Sequence, residues 1–159
     1  MAKTQTVVRE LGKKWDVAIY GSGWGGKERG NTTYNFAGSY ALTKNATITI
    51  GDNQWHGKGA FVSNRLLEAL NVGGALMLHQ HVPMLKEFTG FTPGEHYIEW
   101  TDHADMIAKA HYWLAPEREA ERKQITANAR AFVREHHTFD ARVDELLNII
   151  LPEVLGKEV

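Results

Sequence analysis

The stretch "SNRLLEALNVGGALML", residues Ser63 to Leu78, switches its hydrophobic period part-way, and that switch decides the fold. In its first half the apolar residues recur at helical spacing: together with Val62, the residues Leu66, Leu67 and Leu70 fall on one face. Gly73 and Gly74 interrupt the pattern, and the "ALML" that follows is continuously apolar. A strand covered on one face alternates between polar and apolar; a strand covered on both faces does not. The stretch therefore reads as a helix passing through a glycine turn into a buried parallel strand. Arg65 and Glu68 lie three apart on the polar side of that helix.

Working outward, three more segments read as strands: "WDVAIY" (Trp15 to Tyr20), "ATITI" (Ala46 to Ile50) and "HYIEW" (His96 to Trp100). Between them, "TTYNFAGSYALTKN" reads as a short helix with Phe36, Tyr40 and Ala41 about one turn apart. "PMLKEF" reads as another, with proline in its first turn. Beyond Thr101 the chain turns helical. Thr101 or Asp102 caps a helix with Ile107, Ala110 and Leu114 inward, and Pro116 separates it from a charged helix lined by Ile125, Ala129, Phe132 and Val133. Thr138 caps a last helix, with Val143, Leu146, Leu147 and Ile150 expected inward and Pro152 ending it. Strands alternating with helices imply a three-layer α/β domain with a parallel sheet, occupying residues 1–159, its last helices at about 117–155.

At 159 residues the chain fits one ordinary domain with a proper core. Its 18 lysines and arginines nearly balance 19 aspartates and glutamates, which argues against a general nucleic-acid or membrane-surface binder. The absence of cysteine rules out disulfides and thiolate-bound zinc. No apolar run approaches the roughly 18 residues that would span a bilayer, and the start lacks a signal-peptide pattern, so a cytoplasmic location is the expectation.

An open parallel sheet binds ligands at the carboxyl ends of its strands. Four loops gather there: "GSGWGGKERG", "GDNQWHGKG", "HQHVP" and the segment around Thr101. The first fits G-x-G-x-x-G, so Gly21, Ser22, Gly23 and Trp24 are candidates to let backbone N–H groups approach a diphosphate. NAD or FAD binding demands that a helix open at once and that an acid follow about 20 residues on. Here "KERGNTT" follows, broken by Gly30, and the nearest acid, Asp52, sits too far along. A looser phosphate- or sugar-contacting loop and a plain turn both remain open for this segment. In the second loop Lys58 adds positive charge for a diphosphate, or belongs to an exposed polar loop with Asp52, Asn53 and His56.

Arg65 and Glu68 admit an ordinary account, an i,i+3 ion pair worth a few tenths of a kcal/mol. Their helix, however, starts at the ligand edge. A guanidinium grips a phosphate through two parallel bonds, and a carboxylate accepts from two neighbouring ribose hydroxyls. His79 and His81 share one side of an extended segment, but spacing offers them no third metal ligand, so no metal is expected. His136 and His137 read as a helix end whose negative dipole terminus favours their protonation.

From about Tyr34 to Leu151 the chain resembles the carboxyl-terminal half of the CgeB-like, spore-maturation-type glycosyltransferases of the GT-B fold. The carriers are "SNRLLEALNVGGALML", "LKEFTGFTPGEHYIEWTDHADMIAKAHYWL" and "REHHTFDARVDELL", in the family's order and spacing. The resemblance implies a Rossmann-like domain that binds a nucleotide-diphosphate sugar as donor, without a tightly bound cofactor. It implies Glu68 on the donor ribose, Arg65 at the diphosphate and "GSGWGG" facing the donor from the other side. It also implies that cations and helix N-termini stabilise the leaving diphosphate. In the wider retaining GT-B enzymes a second glutamate, eight residues before the first, contacts the sugar; this chain has Ala60 there. GT-B enzymes carry two Rossmann-like domains and this length accommodates one, so a separate acceptor-binding domain is the expected partner. A non-catalytic nucleotide-sugar-binding module is the alternative, and a dinucleotide-binding domain the weaker one.

Overall fold

The computed structural model describes residues 2–20, 36–52 and 62–156. Its centre is the strand anticipated after the glycine pair. Ala75, Leu76, Met77 and Leu78 are each at most 3 % exposed, as double-sided cover requires. This strand, β2 (Leu76–Gln80), lies between β1 (Ile48–Gly51) and β3 (Ile98–Trp100), and both pairings are parallel. Ile48 faces Leu76 across the first ladder, and Leu78 faces Ile98 across the second.

Helices cover both faces of the sheet. On one side, α3 (Asn64–Val72) contributes Leu66, Ala69 and Leu70, and α6 (Glu119–His136) contributes Ala129 and Val133; they close over Met77 and Tyr97. On the other, Val7 and Leu11 of α1 (Ala2–Leu11) join Met106 and Ala110 of α5 (His103–Leu114) over Leu76, Leu78, Ile98 and Trp100. The chain is thus α/β, with a parallel sheet between two helical layers. Two further helices, α2 (Phe36–Asn45) and the five-residue α4 (Leu85–Thr89), sit at the connections. The cap of α5 is Asp102, whose Oδ1 accepts from the N–H groups of Ala104 and Asp105.

The glycine turn is sterically specified. Gly73 takes a left-handed φ of 69°, and a Cβ on Gly74 would stand 2.2 Å from the carbonyl oxygen of Lys44. The close approach fastens the entry to β2 against the end of α2, where Ala75 N–H donates to Thr43 O.

Three expectations need correction. "WDVAIY" forms no strand: residues 16–20 join no ladder, so the described sheet has three strands instead of four. Trp15 and Val17 pack beside α5 instead, with Trp15 Nε1 donating to His111 Nδ1 at 2.8 Å. The helix α1, unanticipated, takes part of the cover assigned to that segment. Thr138 does cap a helix, α7 (Phe139–Glu145), through Oγ1. Its apolar stripe nevertheless faces outward: Val143, Leu146, Leu147 and Ile150 are 43–54 % exposed. Pro152 does not end it either. The helix widens to a π turn over Leu146–Ile150 and continues as α8 (Leu151–Val154). A proline ring clashes with the carbonyl four residues back, and the wider turn over that carbonyl is a way to accommodate it.

These contrasts set an expected order of damage in urea-unfolding midpoints. Leu66→Ala empties a fully buried position and should cost about 2–5 kcal/mol. Gly74→Ala drives a methyl group into backbone and should cost about 1–3 kcal/mol. Leu147→Ala should stay within about 0.5 kcal/mol.

Candidate ligand site at the carboxyl edge of the sheet

The register sets Gly51, His79 and Glu99 in one row across the carboxyl end of the three strands. Strand periodicity puts them on the same face as Met77 and Tyr97, the face that α3 covers. Gly51 packs closely there: a Cβ would stand 2.5 Å from the mobile end of the Met77 side chain, Cε, and 3.3 Å from His79 Cδ2.

His79 Nδ1 lies 2.8 Å from the carbonyl oxygen of Gln80 and so carries the proton, leaving Nε2 as an acceptor. Burial holds its pKa below the ordinary imidazole value. The Gln80 carbonyl, Asp52 and Glu99 oppose that shift, and Arg65 adds to it. Asp52, Arg65 and Glu99 therefore lie close enough to act electrostatically on one ring.

Helix α3 brings the arginine to this edge. Ser63 is extended and its Oγ accepts from Arg65 N–H at 3.1 Å, which starts the helix one residue before Arg65. The Arg65 guanidinium reaches to 3.9 Å from Asp52, the residue that follows β1, and both side chains are more than half exposed. An exposed pair of that length contributes little and exchanges readily for a stronger anion. Arg65 does not pair with Glu68; among the described residues no ion pair includes Glu68, which stands exposed one turn further along α3.

Glu99 anchors the opposite side. Its Oε1 accepts from Tyr97 Oη at 3.3 Å and lies 3.1 Å from His81 Nδ1, while Lys109 Nζ donates to its backbone carbonyl at 2.7 Å. Burial, with Glu99 adding to it, drives the Tyr97 pKa far upward, so its hydroxyl stays protonated and donates. The Lys109 hydrogen bond holds the Asp105 pKa down, with the Thr101 N–H assisting.

Of the residues singled out from the sequence, Arg65 and Glu68 lie on α3 and His79 and His81 near Glu99. Gly21, Ser22, Gly23, Trp24 and Lys58 fall outside the described residues, as do Asn53, His56 and Ala60. Glu99 and Tyr97 were missed. A glutamate at the carboxyl end of an otherwise apolar strand, "HYIEW", was the available signal. Among the described residues, no three histidine, aspartate or glutamate side chains are disposed to hold a metal ion.

Residues 3–148 match the family described as glycosyl transferase-like. The chain belongs to that family. No curated protein matches it. The family match spans the elements of the carboxyl edge, from β1 through α3 to α5. Among the described residues of this glycosyl transferase-like chain, no helix is long and apolar enough to cross a membrane.

Two further histidines are structural. His96 Nδ1 accepts from Thr92 N–H at 2.9 Å, which requires the unprotonated nitrogen. His137 stacks on Phe91, donates from Nε2 to Thr89 O and accepts at Nδ1 from Arg142. Burial lowers the pKa of His79, His96 and His137 alike. For His137 the direction is opposite to the expected helix-end protonation: desolvation, with Arg142 and His136 adding to it, outweighs the Thr89 carbonyl. A folded-state pKa below the unfolded value means that the unfolded chain binds more protons. Stability should be complete above the unfolded value of about 6.5 and decline as pH falls through it towards the folded values. Urea midpoints at pH 7.5, 6.5 and 5.5 check this, and His137→Gln, which keeps a donor for Thr89, should flatten the slope.

Proposed function

We propose that the chain is the donor-binding half of a CgeB-like glycosyltransferase, holding a nucleotide-diphosphate sugar at the carboxyl edge of its sheet. The reading is supported above all by the placement of Arg65. Among the described residues its guanidinium, in the first turn of α3, is held only by a long exposed pair with Asp52, near the buried His79. A diphosphate carries more charge than Asp52 and fits the guanidinium fork at two oxygens. Arg65 then neutralises charge developing on the leaving diphosphate, assisted by Lys58, and Glu68 accepts from the ribose hydroxyls. The family resemblance adds close backbone approach to the diphosphate by Gly21, Ser22, Gly23 and Trp24 to this reading.

The exposure of Arg65 and Glu68 agrees with a site whose second wall belongs to another domain. In this reading a separate acceptor-binding Rossmann-like domain completes the cleft, and transfer requires both. Ala60 favours a second reading, a binding module without transfer, because the glutamate that contacts the sugar in the wider retaining enzymes is missing at that position.

Calorimetric and thermal-unfolding titrations with UDP, GDP, dTDP, their sugars and NAD separate these readings. One nucleoside diphosphate should raise the melting temperature; at 100-fold excess over its Kd the stabilisation is about 2.7 kcal/mol. Arg65→Ala and Glu68→Ala should each weaken that binding about tenfold or more, at 1.4 kcal/mol per factor of ten. A response to NAD alone, or none to any nucleoside diphosphate, overturns the proposal. Slow hydrolysis of the matching sugar nucleotide favours the transferase over the passive module.

A further inference from the structure

The joint between α6 and α7 is two residues long, His137 and Thr138, and the helical arm beyond it, residues 139–156, is thinly attached. Thr138 caps the arm's own first turn. With the stripe from Val143 to Ile150 turned outward, little hydrocarbon holds the arm to the domain. Ile149 borders a recess of about 380 Å³ that it shares with Phe88 of α4 and Phe132 of α6. Among the described residues, one side-chain hydrogen bond ties the arm to the chain before Thr138: Arg142 to His137 Nδ1, at 2.7 Å. Arg142 also pairs with Glu145 inside the arm.

The partners of His137 fix its protonation. Thr89 O can only accept, so Nε2, 2.8 Å away, carries the ring proton. A guanidinium can only donate, so Nδ1 must present its lone pair. The docked arm therefore requires the neutral ring. A second proton would land on Nδ1, against a permanent positive charge, and the bond would be lost. The other contacts survive that proton. Nε2 still donates to Thr89, and the ring, stacked on Phe91 at 4.7 Å, gains a cation–π attraction. Protonated His137 thus stays with the domain and parts from Arg142.

The neighbouring charges set the balance. Arg142 of α7 and His136 of α6 disfavour the proton, and Glu145 of α7 favours it. Glu135 lies 3.7 Å from His136. His96, which follows α4, meets the same rings, Phe91 and Phe132, with its Nδ1 already taken by Thr92 N–H. The general loss of stability in acid derived above follows from burying any histidine and selects no place in the fold. The Arg142 bond does select one, because losing it frees the arm and leaves the sheet and its helical layers bonded as before.

We propose that His137 is an acid-operated latch: a proton on Nδ1 breaks its bond to Arg142 and lets the α7–α8 arm swing away from α4 and α6. The ring binds that proton more readily once Arg142 has left. Opening therefore takes up one proton, and its equilibrium constant should rise by up to about tenfold for each unit that pH falls.

The chain has no cysteine, so a dye pair on Lys123→Cys of α6 and Val154→Cys of the arm, both exposed positions, reports the arm's placement by energy transfer. Transfer efficiency should change between pH 7.5 and 5.0, with a midpoint below about 6.5, while far-ultraviolet circular dichroism stays native. His137→Gln, whose amide donates to Thr89 and accepts from Arg142 at every pH, should abolish the change; His96→Gln should preserve it. Arg142→Met, at a half-exposed position that does not threaten folding, should leave the arm displaced already at pH 7.5. The proposal is overturned by transfer that does not vary with pH, by a change that persists in His137→Gln, by one that coincides with loss of the circular dichroism signal, or by an arm that stays docked in Arg142→Met.

Discussion

The structure depends on shielding one short strand from both sides. β2 carries Leu76, Met77, Leu78 and His79 with almost no contact with water. A parallel strand so enclosed needs a neighbour along each edge and a helical layer on each face. α3 and α6 supply one layer, α1 and α5 the other. The glycine turn ahead of β2 fixes where the strand enters, since the Lys44 backbone occupies the space a side chain would take.

That enclosure also arranges the chemistry. Because the strands are parallel, their carboxyl ends align, and the register brings Gly51, His79 and Glu99 into one row. Burial keeps the His79 ring neutral, and the Gln80 carbonyl decides which nitrogen carries its proton. Arg65 comes to the same edge because Ser63 caps α3 there. The site thus combines a loosely held cation with rigidly placed neutral and acidic groups, a division suited to a ligand with a charged end and a hydroxylated end.

Most of the fold was legible where local pattern and burial agree. The double-covered "ALML", the Gly73–Gly74 turn, the caps at Asp102 and Thr138 and the inner face of α6 each express short-range physics. "WDVAIY" misled because β-branched and aromatic residues in a short run suit both a strand and an extended segment packed on a helix; only the availability of an edge decides. Val7 and Leu11 of α1 are a helical turn apart, but such a pair in a polar segment is too weak a signal alone. The last helix misled for a different reason. Its stripe has the period of a buried face, and periodicity cannot say what lies opposite. The helical placement of Arg65 and Glu68 could be read from the pattern, whereas Glu99, His81 and Tyr97 converge only through tertiary register.

The bare stripe from Val143 to Ile150 alters how the molecule unfolds. Water already hydrates those side chains in the native state, so denaturation uncovers less fresh hydrocarbon than the composition of the chain suggests. Both the denaturant sensitivity and the heat-capacity increment scale with newly wetted area. The native chain therefore has a shallower urea slope and a flatter stability curve than a sequence of equal length whose every apolar helix is tucked away.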